Sequence, residues 1–212
     1  MTYILSNVIQ MAWTDVADSN TIESTIAALK ANGFEATVAE NGAEAREAVL
    51  KMIPKGAEVM KMTSVTLDTI GVASAIEESG EYESLGKKVR SIDDPVEREK
   101  LRKALLSPQY AIGSVHAITS DGKVVIASAS GSQLPAYTYG AENVIWVVGA
   151  QKLVKNLDDA IKRIYEHSLK LESERVQKAY GMPRSSVNKI LVYEREKPGR
   201  VSVIIVKEAL GF

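Results

Sequence analysis

Three short runs of small and hydroxyl-bearing residues carry most of the chemistry this chain can offer, and each follows an apolar, strand-like run. Thr63-Ser64-Val65-Thr66 follows Ala57-Glu58-Val59-Met60-Lys61-Met62. Ser128-Ala129-Ser130-Gly131-Ser132-Gln133 follows Val124-Val125-Ile126-Ala127. Gly149-Ala150-Gln151-Lys152 follows Val144-Ile145-Trp146-Val147-Val148. Small residues let a ligand approach backbone N–H groups, and a helix start adds unpaired N–H groups and a dipole that favours an anion. Pro135, just after the second run, fits the first turn of a helix. In a parallel sheet, ligands bind beyond the carboxyl ends of the strands. The three turns are therefore expected to line one cleft, with Ser64, Thr66, Ser128, Ser130, Gly131, Ser132, Gln133, Gln151 and Lys152 as its ligand-binding groups. Hydroxyls, amides and one cation suit a small anionic or hydroxylated ligand. Taken singly, each run is also a plain helix cap or a tight strand-to-helix turn.

The candidates for proton transfer are His116 and Lys152. Imidazole titrates near neutrality, and a histidine beside the cleft can shuttle a proton; the bland alternative is a hydrogen-bonded, half-buried side chain. Lys61 closes its strand near Thr63 and can help to hold an anion, or simply face solvent. Tyr137 and Tyr139 stand two apart in a helical segment and cannot share a face, so one belongs to the core and the other can border the cleft. No G-x-S-x-G, Walker-type or G-x-G-x-x-G motif occurs. Cysteine is absent and the two histidines, His116 and His167, are far apart, so no metal site is expected from this chain alone.

Hydropathy patterning supplies the elements that must hold these residues. Residues from about 3 to 31 read as helical, with Ile22, Ile26 and Leu29 at helical spacing after possible caps at Ser19, Asn20 or Thr21, and Asn32-Gly33 as the stop. A strand over 34–39 and a helix from Gly42 to the Pro54 region follow. Asp94-Pro95 marks another helix start, with Asp93 or Asp94 as its cap, in a charged excursion over 77–106. Residues 111–128 read as two strands joined at Ser120-Asp121-Gly122. The run over 142–148 is apolar on both faces and is expected at the centre of a sheet. A long helix begins after Asn156, with Asp158/Lys162, Asp159/Arg163 and Glu166/Lys170 as solvated i,i+4 pairs. The tail over 188–212 forms a final strand pair or returns to the main sheet.

The 212 residues suit one α/β domain, with a helical segment over about 1–31 at its start. A net charge of −1 with no dense basic tract argues against a nucleic-acid or anionic-membrane surface. The longest apolar runs are strand-sized, so no membrane span is expected. Lack of cysteine and of a recognisable signal peptide points to a cytoplasmic location.

Four blocks resemble the LUD-domain family, proteins similar to lactate utilization protein C. They are Gly113-Ser-Val-His-Ala-Ile-Thr, the stretch from Ile126 through Ser-Gly-Ser-Gln-Leu-Pro to Gly140, Val144-Ile-Trp-Val-Val-Gly-Ala-Gln-Lys-Leu-Val, and Val206-Lys-Glu-Ala-Leu-Gly-Phe. The resemblance extends over about 21–212. It implies a Rossmann-like, mostly parallel sheet flanked by helices, similar to the ribose-5-phosphate isomerase and CoA-transferase fold. It also implies a role in oxidation of L-lactate to pyruvate beside iron–sulfur partner subunits. CoA-transferases use a glutamate nucleophile, and neither 112–118 nor 124–133 contains Glu or Asp, which speaks against a covalent thioester mechanism here. Without cysteine, electron transfer would run through cofactors on other subunits; none is expected on this chain, whose own ligand is a small carboxylate or phosphate. Two other readings stand beside this one: a stand-alone isomerase- or transferase-like enzyme acting on a sugar phosphate or acyl substrate, and a non-catalytic metabolite-binding module. The oligomeric state, homo-oligomer included, is not written in the sequence.

Overall fold

The computed structural model describes residues 13–212. Helix α1 (Ser19–Ala31) starts at Asp18, whose carboxylate accepts from Thr21 N at 2.8 Å, and stops at Asn32-Gly33. Residues 13–18 are not helical, so the helix is shorter than its sequence pattern predicts; the start of that reading lies outside the described residues. Asp18, and not Ser19, Asn20 or Thr21, is the cap, and it explains the boundary, because a side chain satisfying a free N–H of the first turn fixes where the helix begins.

The chain continues through β1 (Glu35–Ala39), α2 (Gly42–Met52), β2 (Glu58–Lys61), α3 (Val65–Thr69), α4 (Val72–Glu78), β3 (Glu83–Ser84), α5 (Leu85–Arg90), α6 (Pro95–Ala104) and β4 (Tyr110–Gly113). It then forms β5 (Ala117–Thr119), β6 (Val124–Ser128), a π-helical turn (Ala136–Gly140) and β7 (Asn143–Gly149). A 3₁₀ turn (Ala150–Lys152) leads into β8 (Leu153–Val154), α7 (Leu157–Arg163), a second π-helical turn (Ile164–Ser168), α8 (Leu169–Tyr180), β9 (Lys189–Tyr193) and β10 (Val201–Val206). Asn41, Asp94 and Asn156 cap α2, α6 and α7 through their side chains, and Pro95 takes the first position of α6, as the residue types predict.

Six strands make a parallel sheet in the order β1-β10-β7-β4-β2-β3, a Rossmann-like α/β arrangement. The β7 strand lies inside it, between β10 and β4, with side chains buried on both faces. Ile145 and Val147 meet Ala45 and Val49 of α2 and Leu67 of α3 on one side. Val144, Trp146 and Val148 join a second cluster on the other side with Leu29, Phe34, Ile118 and Ile126. That second cluster is roofed by a smaller sheet in the order β8-β5-β6-β9, whose outer face carries Ala117, Val125 and Ala127 against Ala160 and Ile164. The layers are thus helices, parallel sheet, mixed sheet and helices.

The Asp121-Gly122 turn joins β5 to β6 as an antiparallel hairpin, matching the sequence signal. The expected long strand before it is divided, because residues 114–116 leave the parallel sheet after β4 and enter the smaller one. The strand β6, whose following loop is expected at the end of a parallel strand, keeps its hairpin pairing with β5 but lies in the smaller sheet, where it is also antiparallel to β9. Of the two readings of the tail, the return to the main sheet holds and the final strand pair does not, since β9 and β10 lie in different sheets. Strand β9 closes the small sheet, and β10 inserts parallel between β1 and β7.

Candidate functional site

The carboxyl ends of β2, β4 and β7 stand side by side, since β4 pairs with both neighbours. Beyond them opens a cavity of about 620 Å³. Its wall includes Ser64 and Thr66 after β2, Ser114 and His116 after β4, and Lys152 after β7. The opposite side comes from the smaller sheet, through Ser128, Ser130, Ser132 and Gln133 after β6. Residues brought together here are up to 88 positions apart in sequence, the separation of Ser64 and Lys152.

Lys152 is the electrostatic centre. The 3₁₀ turn after β7 carries it inward, and only 3% of its surface remains exposed. Its Nζ donates to Thr66 Oγ1 and Ser114 Oγ, each at 3.1 Å. No carboxylate of the described residues lies within 4 Å of it. Burial, and then the charge of Arg163, push the lysine down to about 7. Ionised Lys152 is therefore a buried cation with hydroxyl partners and no counter-charge among the described residues.

Arg163 is the second buried cation. Its Nη1 donates to His116 O at 2.7 Å and Ser168 Oγ at 3.1 Å, and its Nη2 to Trp13 O at 3.4 Å. It faces inward between α7 and the π-helical turn, with no exposed surface. The predicted Asp159/Arg163 surface pair is therefore not formed. Nor are Asp158/Lys162 or Glu166/Lys170; Lys162 meets Asp159 at 3.7 Å instead. The π-helical turn over Ile164–Ser168 breaks the i,i+4 register of Glu166 and Lys170; the other two pairs lie before it in α7, where Arg163 turns to the core and Asp159 takes Lys162 at i,i+3.

His116 Nδ1 accepts from Ala127 N at 3.1 Å, so the neutral ring carries its proton on Nε2 and can only donate through that atom. Desolvation first, then Lys152 and Arg163, hold it well below the usual histidine range, at about 3. A ring already occupied at Nδ1 and this hard to protonate offers a hydrogen-bond donor at Nε2 and is poorly suited to act as a base. Tyr137 is the core member of the tyrosine pair and Tyr139 the exposed one, at 1% and 90% exposure. The Tyr137 side chain also forms part of the cavity wall.

The remaining sequence candidates divide clearly. Ser64 lies on the wall while its Oγ accepts from Leu67 N at 3.3 Å, capping α3. Loss of that cap in Ser64→Ala should lower stability by about 0.5–1 kcal/mol, read from urea unfolding, whereas Ser64→Asp should retain it. In the loop after β6, Ser128 Oγ donates to Gln133 Oε1 at 2.9 Å and accepts from Gly131 N at 2.8 Å, and Ser130 Oγ pairs with Ser132 Oγ at 3.0 Å. These hydroxyls shape the loop as well as face the cavity. Gly131 and Gln151 do not line it. Gln151 is spent on the tail: Nε2 donates to Leu210 O at 3.0 Å and Oε1 accepts from Leu210 N at 3.2 Å. That clasp carries Gly211 over α3 at φ +67°, where a Cβ would overlap Thr66 Oγ1, and brings Phe212 to the cavity wall. Only glycine adopts that backbone at no cost and fits there.

A family model described as the LUD domain matches residues 22–206. The chain belongs to the LUD-domain family. The family is associated in general with lactate utilization. Among solved structures, this LUD domain is similar to a DUF162 family protein from Deinococcus radiodurans, at 12% identity and a TM-score of 0.53, over 91% of this chain and 99% of that one. At that identity the likeness shows the fold alone. A comparison with curated proteins finds no match.

Two residues of this LUD domain escaped the sequence reading: Ser114 on the cavity wall, and Arg163, which bonds to His116 O behind it. Ser114 directly follows an apolar strand, the same signal that marks the other turns, and stands two places before the more conspicuous His116. Arg163 carried no usable signal, because its spacing from Asp159 placed it on a solvated face. Lys61 lines the cavity with a side chain only 14% exposed, loosely paired to Glu77 at 3.6 Å and Asp68 at 3.7 Å. Among the described residues no helix is long and apolar enough to cross a membrane.

Proposed function

We propose that this LUD domain binds a small organic anion, a carboxylate or a phosphorylated metabolite, with its charged end against Lys152 Nζ, Thr66 Oγ1 and Ser114 Oγ. The observation that carries the reading is a buried ammonium with two hydroxyl partners and no carboxylate, facing a cavity at the ends of parallel strands. An enclosed charge of this kind is costly unless a ligand completes it. The cavity is of the size that encloses small organic ligands, about 300–1,000 Å³. His116 Nε2 adds a neutral donor, and the serines after β6 close the far side. Within the family's association with lactate utilization, the domain acts in the cytoplasm as the metabolite-binding member of an assembly that oxidises L-lactate to pyruvate, with iron–sulfur partner subunits carrying the electrons.

The test is direct. Lactate, pyruvate, inorganic phosphate and a sugar phosphate are titrated against the purified chain by calorimetry and thermal shift, since a ligand that binds only the folded state raises its apparent stability. Failure of every anion to bind, or equal binding by Lys152→Met, rules the site out. For lactate and pyruvate, whose charge is constant in this range, affinity should be flat just below pH 7 and weaken by about tenfold per pH unit above it, because the free lysine loses its proton there and the bound one is held longer. His116 stays neutral throughout that range and adds no slope.

A second reading rests on the same near-neutral lysine: Lys152 as the acid–base group of an isomerase- or transferase-like enzyme. Turnover of a sugar phosphate by the isolated chain, lost in Lys152→Met and retained in His116→Gln, would favour it over binding alone.

A further inference from the structure

The lysine differs from its neighbours in a way that anion binding alone does not require. Among the other cations on the cavity wall, Lys61 has Glu77 and Asp68 within 4 Å, Arg90 has Glu77 at 3.0 Å, Arg102 has Glu99 at 3.0 Å and Arg175 has Glu172 at 2.7 Å. A carboxylate partner locks a lysine as ammonium, which has no lone pair to offer. Lys152 has hydroxyls instead. A hydroxyl accepts from an ammonium and donates to an amine equally well, so the Thr66–Ser114 pair serves both protonation states. Burial then favours the neutral amine, and the charge of Arg163 adds to that preference. A desolvated lysine that also feels the charge of a second cation is the arrangement that makes an amine nucleophilic toward a carbonyl.

We infer that Lys152 condenses with a 2-oxo acid bound in the cavity to form an imine, so that the site takes carbonyl-bearing anions covalently. The inference rests on the proposed anion site and adds chemistry to it. The amine lone pair of Nζ attacks the carbonyl carbon, and the carbonyl π pair moves to oxygen. That oxygen gains the proton that nitrogen loses, passed through the flanking hydroxyls. A second proton expels the oxygen as water, leaving the carbon–nitrogen double bond; amine and carbonyl go in, imine and water come out, and no oxidant is used. Protonated, the imine returns a positive charge to the place the ammonium held, beside the carboxylate of the same ligand. A 2-oxo acid fits because it joins carbonyl and carboxylate on adjacent carbons, and its 2-hydroxy counterpart offers the charge without the electrophile.

The experiment uses the intact chain with pyruvate as the probe, borohydride to reduce any imine, and intact-mass and peptide mass spectrometry to find the product. Binding of pyruvate is measured in parallel by calorimetry without borohydride. One carboxyethyl group per chain, mapped to Lys152, lost in Lys152→Met and suppressed by excess lactate, is the expected result. Circular dichroism confirms that the variant is folded; if it is not, the position of the adduct in the unaltered chain decides the matter. Binding of pyruvate with no adduct at Lys152 overturns the inference and leaves the anion site intact. Adducts scattered over exposed lysines and indifferent to lactate overturn it as well. Neither binding nor adduct overturns both it and the proposed function.

Discussion

Lys152→Met will lose anion binding by at least about a hundredfold and, in the same protein, gain resistance to urea. The two effects have one cause. In the empty site an ammonium is enclosed with two hydroxyls and no counter-charge, so the folded chain bears a desolvation cost that the unfolded chain does not. Methionine has similar length, fills the same space and carries no charge. The expected gain is about 1–4 kcal/mol at neutral pH, the range seen when buried charged groups are replaced by apolar ones. Its pH dependence gives an independent check. The folded pKa, about 7, lies below the ordinary 10.5, so between those values the unfolded state holds more protons and stability rises with pH. The penalty is complete below pH 7 and fades toward pH 10.5. The advantage of the variant should therefore be largest at pH 6–7 and shrink by pH 10, in paired urea titrations at each pH. Burial raises both Tyr137 and Tyr193, but these groups are common to the two proteins and cancel in the difference. A variant that is less stable at every pH would mean that the lysine is held by its hydroxyl partners more strongly than burial opposes it.

What this site owes to its sequence is uneven. The strand ends were readable because a buried parallel strand is a continuous apolar run, and the turn after it must be small or capping; residues 57–66 and 144–152 show both. Caps at Asn41, Asp94 and Asn156 were readable because a side chain bonding to its own local backbone needs no tertiary context. Sheet membership was not. Residues 124–128 look like a parallel core strand, and only long-range pairing with residues 189–193 makes them the centre of a second, mixed sheet. Burial on both faces follows from being sandwiched, whichever sheet does it. Even so, the loop after that strand arrives at the cavity, since the smaller sheet covers the larger one on the side where residues 114–116 cross over.

Arg163 and Gln151 show the other limit. A polar side chain reveals its type in the sequence but not its direction. Arg163 sits four residues after Asp159, the spacing of a surface pair, yet points into the core, where its bonds go to carbonyls and a serine. Gln151 adjoins Lys152 in a turn that resembles a ligand loop, and the geometry of that turn sends one side chain to the cavity and the other to the tail at residues 210–211. Both outcomes depend on contacts more than 45 positions away, His116 with Arg163 and Leu210 with Gln151, which local periodicity does not encode.

Gly113→Ala is expected to cost about 2–3 kcal/mol and to weaken anion binding, although the glycine touches no ligand. Gly113 ends β4, in register with Trp146 of β7, and Ser114 follows it. Its backbone is ordinary; the constraint is space. A Cβ there would overlap the Tyr137 hydroxyl and lie 3.1 Å from Tyr137 Cζ and 3.3 Å from Met62 Cβ. Tyr137 cannot withdraw, because it is buried and stands edge-on to Trp146 at 5.4 Å between ring centres, 88° between planes. The strain must move either the ring or the end of β4, and the latter shifts Ser114 away from Lys152. Overpacking of this kind in a dense core costs about 1–3 kcal/mol. Tyr137→Phe removes the oxygen that collides, so the double variant should recover a large part of the loss, a coupling that only residues in contact display. Urea unfolding of the two single variants and the double one measures it. Costs that simply add would show that Tyr137 does not hold Gly113 in place and that the end of β4 tolerates a side chain.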